Sequence, residues 1–170
     1  MLMNHHRVVG ALVIGAAVAG CSTSPSTVEF TLVQGTPDLT SIRVGDRPAG
    51  SNGHGDLLAF DAPVSRDGEV VGDVSGLLTT VGLPAATGTG RDALEERFGT
   101  LVFRFNDTDT IVVSGSSIYP PAQVEMAQDR PQLRAVLGGT GAYIAAAGEV
   151  ETVRNADGTY SHRFTLLDAR

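Results

Sequence analysis

Strand-length runs rich in Val, Ile, Leu, Phe and Thr recur along this chain between clusters of Gly, Pro, Asp and Asn, at 28–33, 56–62, 70–81, 100–105, 110–118, 132–137, 142–153 and 160–167. That punctuation marks short β-strands joined by turns. "RFNDTDTI" puts Asn106, Asp107 and Asp109 between two runs, and "RNADGTY" puts Asn155, Asp157 and Gly158 between two more. Both compositions favour hairpins, because short polar side chains bond their own backbone and glycine accepts positive φ. Sequential hairpins make an antiparallel sheet. Only "RDALEERF", residues 91–98, reads as a turn or two of helix, so no helical layer is available to cover that sheet. It must bury its apolar face by folding on itself. Gly72, Gly76, Gly115 and Gly148 fall inside strand patterns. Glycine there is costly unless the wall bends, as a closed barrel requires, whereas a sandwich keeps its glycines mainly between strands. The expected fold is all-β, an eight-stranded antiparallel β-barrel whose interior holds side chains or one small ligand.

Ahead of the strands, Arg7 precedes an apolar run over 8–19 that is too short to span a bilayer and has the layout of an export signal. Val18-Ala19-Gly20-Cys21 resembles a bacterial lipobox, and Cys21 is the only cysteine in the chain. The expected organisation is a signal peptide over 1–20, a lipidated Cys21 with a polar tether to residue 27, and a single barrel domain over 28–170. Such a protein is exported and anchored to a membrane of the bacterial cell envelope, since each buried methylene of an acyl chain contributes about 0.8 kcal/mol. A lipidated Cys21 leaves no disulfide, so burial and hydrogen bonding alone must hold the domain.

Charge and motifs remove several function classes. Without Arg7, eleven arginines stand against nineteen acids, a net charge of −8 that argues against nucleic acid as a partner. "LRAVLGGTGAYIAAAGEVETV" has Gly139 and Gly141 at the first spacing of a dinucleotide fingerprint, but the next glycine is Gly148 and a strand-like run follows it. Its glycines shape a sheet. His54 and His162 are far apart with no cysteine near them, which speaks against zinc. Asn106, Asp107 and Asp109 lack the glycine and distal glutamate of a calcium loop. No Gly-x-Ser-x-Gly elbow supports a serine hydrolase.

The order "GDLLAFDAPVSRDGEVVGDVSG", "TLVFRFNDTDTIVVSG", "AVLGGTGAYIAAAGEV" resembles the barrel of plant allene oxide cyclases, plant dirigent proteins and related bacterial proteins, from Gly55 to about Val150. Its most specific part is Gly138-Gly139-Thr140-Gly141-Ala142-Tyr143 with the later Gly148-Glu149-Val150, and Phe60-Asp61 and Val71-Gly72 add to it. The resemblance implies an eight-stranded barrel, commonly a homotrimer. It also implies a role without metal or organic cofactor, in which an apolar reactive intermediate is held in one shape during cyclisation or coupling. Ala147 stands where the family often has arginine, and 76–81 lacks the cysteine many members carry there.

Candidate site residues follow from alternation along the strands. Asp56 shares a face with Leu58 and Phe60, while Asp61 falls on the other side with Leu57 and Ala59. At the mouth of an apolar barrel, Asp56 would have its pKa raised by desolvation and could serve as a general acid or base. As the end of the Gly-rich turn "SNGHGD", it would instead bond local backbone. Asp61 matches an acid of the family and is a second candidate. Tyr119 shares a face with Ile111, Val113, Gly115 and Ser117, where it would orient a ligand or pack on Pro120 and Pro121. Arg104 is expected to be solvated or at a subunit interface, Tyr143 to pack across the barrel, and Glu125 to be exposed. Two function classes follow: a cofactor-free isomerase, cyclase or dirigent-like guide acting on a small apolar molecule, or a non-catalytic lipid- or metabolite-binding envelope lipoprotein.

Overall fold

A computed structural model describes residues 26–48 and 51–168. The expected signal segment and Cys21 lie outside the described residues. The chain forms β1 (Thr27–Gln34), β2 (Asp38–Ile42), β3 (Leu57–Arg66), β4 (Glu69–Gly82), β5 (Glu95–Arg104), β6 (Thr110–Tyr119), β7 (Gln132–Thr140), β8 (Gly148–Arg154) and β9 (Tyr160–Leu167). They pair antiparallel in the order β1-β9-β8-β7-β6-β5-β4-β3-β2, and a further β1–β3 pairing closes the sheet. Both β1 and β2 lie on β3: Gln34 sits opposite Val64, and the pairing resumes from Asp38 opposite Asp61 to Ile42 opposite Leu57. The two therefore act as one wall strand broken at Gly35–Pro37, where Gly35 N–H donates to Pro63 C=O at 2.9 Å. Nine strands thus make the expected eight-stave closed barrel.

Turn chemistry sets the register. Asp67 and Gly68 both take positive φ, 54° and 85°, in the two-residue hairpin between β3 and β4. Asn106 Oδ1 accepts from the Thr108 and Asp109 backbone N–H groups, each at 2.9 Å, and so builds the β5–β6 turn. Gly148 opens β8 at φ 150°, and a Cβ there would overlap the Thr165 carbonyl of β9. The alanine-rich wall can pass there because that residue has no side chain.

Inward positions change character along each strand. At one end Phe103, Ile111, Val74, Val64, Val150 and Phe164 are fully buried. Phe103 meets Phe164 edge-on at 5.0 Å, and Phe30 stacks on Phe164 at 4.9 Å. Burying such side chains contributes about 1.5–3 kcal/mol each, which makes this end the structural core.

Two expectations need correction, and one strand was unforeseen. Residues 91–98 are not a helix: a short 3-10 turn spans Gly90–Ala93 and β5 begins at Glu95. Helix-forming residue types there were overridden by alternation, because Glu95, Arg97, Gly99, Leu101 and Phe103 all point inward. The expected strand over 142–153 starts only at Gly148, since Gly141–Tyr143 is a 3-10 turn and Ala145 takes φ 63°. β2 carried no strand signal, being short, mostly exposed and preceded by Pro37.

Candidate functional site

The other end of the barrel is an open bowl with a cavity volume of about 40 Å³. Its walls are Leu39, Leu58, Phe60, Leu78 and Leu101, with Met126 dropping in from above. Gly76 makes room for the Phe60 ring, which a Cβ would overlap. Polar groups reach the bowl from Gln34, Tyr119, Arg134, Thr152, Tyr160 and His162.

These side chains form an ordered chain. Arg134 Nη1 donates to Thr152 Oγ1 at 3.4 Å, and Thr152 Oγ1 lies 3.0 Å from His162 Nδ1. His162 Nε2 lies 2.9 Å from Gln34 Oε1. The consistent assignment is a neutral imidazole that accepts from the Thr152 hydroxyl and donates to Gln34. Burial, reinforced by the Arg134 cation, pulls the His162 pKa down to about 3. Both ring nitrogens are engaged, so His162 orients its neighbours and has no lone pair left for a substrate proton. Burial, with the nearby Glu125 charge, raises the Tyr160 phenol well above its ordinary value and keeps it protonated. Arg134 is 5% exposed and its Nε has no hydrogen-bond partner. Burial lowers its pKa, opposed by the Tyr119 phenol, which bonds the guanidinium.

Beside this chain lies a buried ion pair. Glu95 and Arg97 are 1% and 4% exposed, with Nε donating to Oε1 at 2.7 Å. Thr80 also donates to Oε1, at 3.1 Å, and Asn52 to Oε2, at 2.6 Å. Arg97 sends its remaining donors to the carbonyls of Gln123 (2.5 Å) and Val124 (3.2 Å), and its guanidinium lies 4.1 Å from the Tyr119 ring centroid. The pair thereby fixes the 120–131 segment across the mouth. Arg154 holds the same segment by donating to Glu125 at 2.5 Å, so Glu125 is a paired rim residue and not simply exposed.

The expected site residues separate. Tyr119 is 3% exposed and faces the bowl, although it does so under Arg97 and beside Arg134. Asp56 lies at the rim, on the side the alternation placed it, but with its carboxylate committed. Oδ1 accepts from Val44 N–H at 2.8 Å and from the Arg47 guanidinium, and Oδ2 accepts from Gly53 N–H at 2.8 Å. Burial pushes its pKa up, yet these donors outweigh burial and hold the carboxyl below its ordinary value, opposite to the rise expected from desolvation. Asp56 therefore fastens Val44, Arg47 and Gly53 at the rim. Asp61 is exposed on the outer wall with its expected neighbours Leu57 and Ala59. Arg104 is exposed and pairs with Asp73 at 2.8 Å, and Tyr143 packs on Phe105 at 4.9 Å at the closed end. Among the described residues no three His, Cys, Asp or Glu side chains gather into a metal-holding group.

Glu95, Arg97, Arg134 and His162 were not singled out as site residues from the sequence. A usable signal existed. Read with period two, "EERFGTLVF", "QLRAV" and "YSHRF" each place charged or polar side chains on the face that later carries Leu, Phe or Val.

Chemically, the bowl presents one cation and two phenols to an apolar volume. Every carboxylate described around it is held by an arginine. It is equipped to bind an apolar body and stabilise charge on an oxygen.

No family model and no curated protein matches the chain in sequence. Among solved structures it is similar to pyocyanin demethylase, with TM-score 0.58 and 23% identity over 82% of this chain and 99% of that one. It is also similar to the Diels Alderase AbmU from Streptomyces koyangensis, with TM-score 0.58 and 14% identity over 84% of this chain and 64% of that one. Both likenesses are of fold, a closed antiparallel barrel, while the resemblance of 55–150 to allene oxide cyclases and dirigent proteins rests on its motifs alone.

Proposed function

We propose that this barrel binds a small apolar molecule in its bowl and steers its isomerisation or cyclisation without a resident cofactor, on an exported lipoprotein tethered through Cys21. The observation that carries the reading is the split interior: an aliphatic bowl into which Tyr119, Arg134 and Tyr160 converge, above a closed aromatic core. Confinement and charge stabilisation are the means such a bowl offers, and both act on a reactive intermediate already formed. The motif resemblance to the allene oxide cyclase and dirigent barrel supports the same class. Pyocyanin demethylase and a Diels Alderase use similar barrels, so small-molecule chemistry is compatible with the architecture.

A second reading, ligand carriage without turnover, is favoured by the commitment of Asp56 and Glu95 to arginines, which leaves no free carboxylate base in the described bowl. One experiment separates them. Native mass spectrometry of the purified protein, followed by incubation with the recovered compound, should give a co-purifying small molecule and its rearranged product. Tyr119→Phe should slow conversion by about tenfold or more while retaining the ligand. Retention without conversion would select the carrier, and a Leu101→Trp variant that retains ligand unchanged would remove the bowl from both readings.

A further inference from the structure

We infer that Arg134 is an anion receptor, and that the ligand of this bowl carries one anionic oxygen (carboxylate, phenolate or enolate) on an apolar body. The inference rests on the bowl being the ligand site and narrows that reading to a charge class.

Arg97 and Arg134 are the two arginines buried among the described residues. They are treated differently. Arg97 has the Glu95 carboxylate and two backbone carbonyls. Arg134 has no ion pair among the described residues; it has a long bond to Thr152, the Tyr119 phenol, and an Nε without a partner. A guanidinium offers five donors in a planar fork that fits two oxygens side by side. The Nε donor is unused, on a side chain that lines the apolar bowl of the barrel interior.

Charge counting points the same way. At the rim Arg47 is matched by Asp56 and Arg154 by Glu125, and inside Arg97 is matched by Glu95. His162 is held neutral between Thr152 and Gln34. One positive charge is left over in the bowl, and it belongs to Arg134. An unmatched buried cation is strongly unfavourable unless an anion completes it. A ligand oxygen supplies that anion, while Leu58, Phe60, Leu78 and Leu101 take the apolar body. Cationic ligands are rejected by the same charge.

The test is a fluorescence titration of the purified full-length protein with 2-naphthoate and its neutral isostere 2-naphthamide; the chain has no tryptophan to obscure naphthalene emission. Naphthoate is expected to bind at least about tenfold tighter than the amide. Arg134→Lys should keep that order and Arg134→Met should abolish it, with circular dichroism confirming that each variant is folded. Equal binding of the two probes, with both lost in Leu101→Phe, would overturn the receptor and leave the bowl as a ligand site. Binding of neither probe would overturn the bowl reading as well. A preference for naphthoate that survives Arg134→Met would take the role away from Arg134.

Discussion

The two halves of the barrel interior are built from the same strands and obey opposite rules. In the closed half, Phe103, Phe164, Ile111 and the surrounding valines are fully buried and pack on one another, with the Phe103 ring meeting His162 edge-on at 5.0 Å where the two halves join. In the open half, successive inward positions of those strands carry Glu95 and Arg97, Arg134, Thr152 and His162. The first half gains stability from every side chain. The second spends part of it, because each buried polar group must find a partner to offset desolvation. Arg134 is where the matching stops. Folding is secured at one end so that the other can hold unmatched chemistry, an arrangement expected of functional sites.

The contrast can be broken most forcefully from either side. Phe164→Ala should cost about 3–5 kcal/mol in urea unfolding through the cavity it leaves. Glu95→Ala should cost a similar amount, about 3–5 kcal/mol, because it strands the Arg97 cation. The halves then diverge on repair: Glu95→Met combined with Arg97→Met should recover most of the loss, whereas no change at Phe103 should rescue Phe164→Ala. A double variant no more stable than Glu95→Ala would show that the ion pair, and not its desolvation, dominates this half.

A smaller effect sharpens the contrast through pH. The folded pKa of His162, about 3, lies below the ordinary 6.5, so the folded state binds fewer protons between those values. Its contribution is complete above pH 6.5 and is lost as pH falls toward 3, at a slope of about 1.4 kcal/mol per pH unit. Wild-type unfolding free energy should show that slope, and His162→Gln should remove it. A wild type whose stability is flat from pH 6.5 to 4.5 would mean the imidazole is not held neutral.

The smallest effects belong to the two acids. Asp56→Asn should lose about 1 kcal/mol by weakening the rim fastening. Since the folded carboxyl lies below its ordinary 3.8, the wild type should lose that contribution only as pH drops below this value, and the variant should lack the loss. Asp61→Asn, on the outer wall, should leave melting temperature and ligand retention unchanged. A clear loss of retention in Asp61→Asn would reopen the outer wall as a functional surface.

Much of this fold was legible because strand physics is local. Alternation put Leu58 and Phe60 on one face and Asp61 on the other, without saying which face was inside, and the turns at 105–109 and 155–159 announced themselves through Asn, Asp and Gly. Failures came where local preference and pairing disagree. Helix-forming residues at 95–98 became strand because β4 and β6 pair with them on either side, and β2 is built on its pairing with β3. The site was less legible still. Of the three residues expected to carry chemistry, Tyr119 alone faces the bowl, and it does so in company no spacing rule foretold.

The amino-acid order by itself determined the class of fold, since a period of two punctuated by turn residues and lacking a covering helix leaves only a sheet closed on itself. Tertiary structure alone decided which charges cancel. Glu95 and Arg97 are two residues apart on one strand, but Arg134, Thr152, His162 and Gln34 come from four strands separated along the chain. Their protonation states and the unmatched cation among them depend on distances of a few ångströms across a closed barrel, because electrostatic energies depend on separation and burial, and sequence spacing encodes neither.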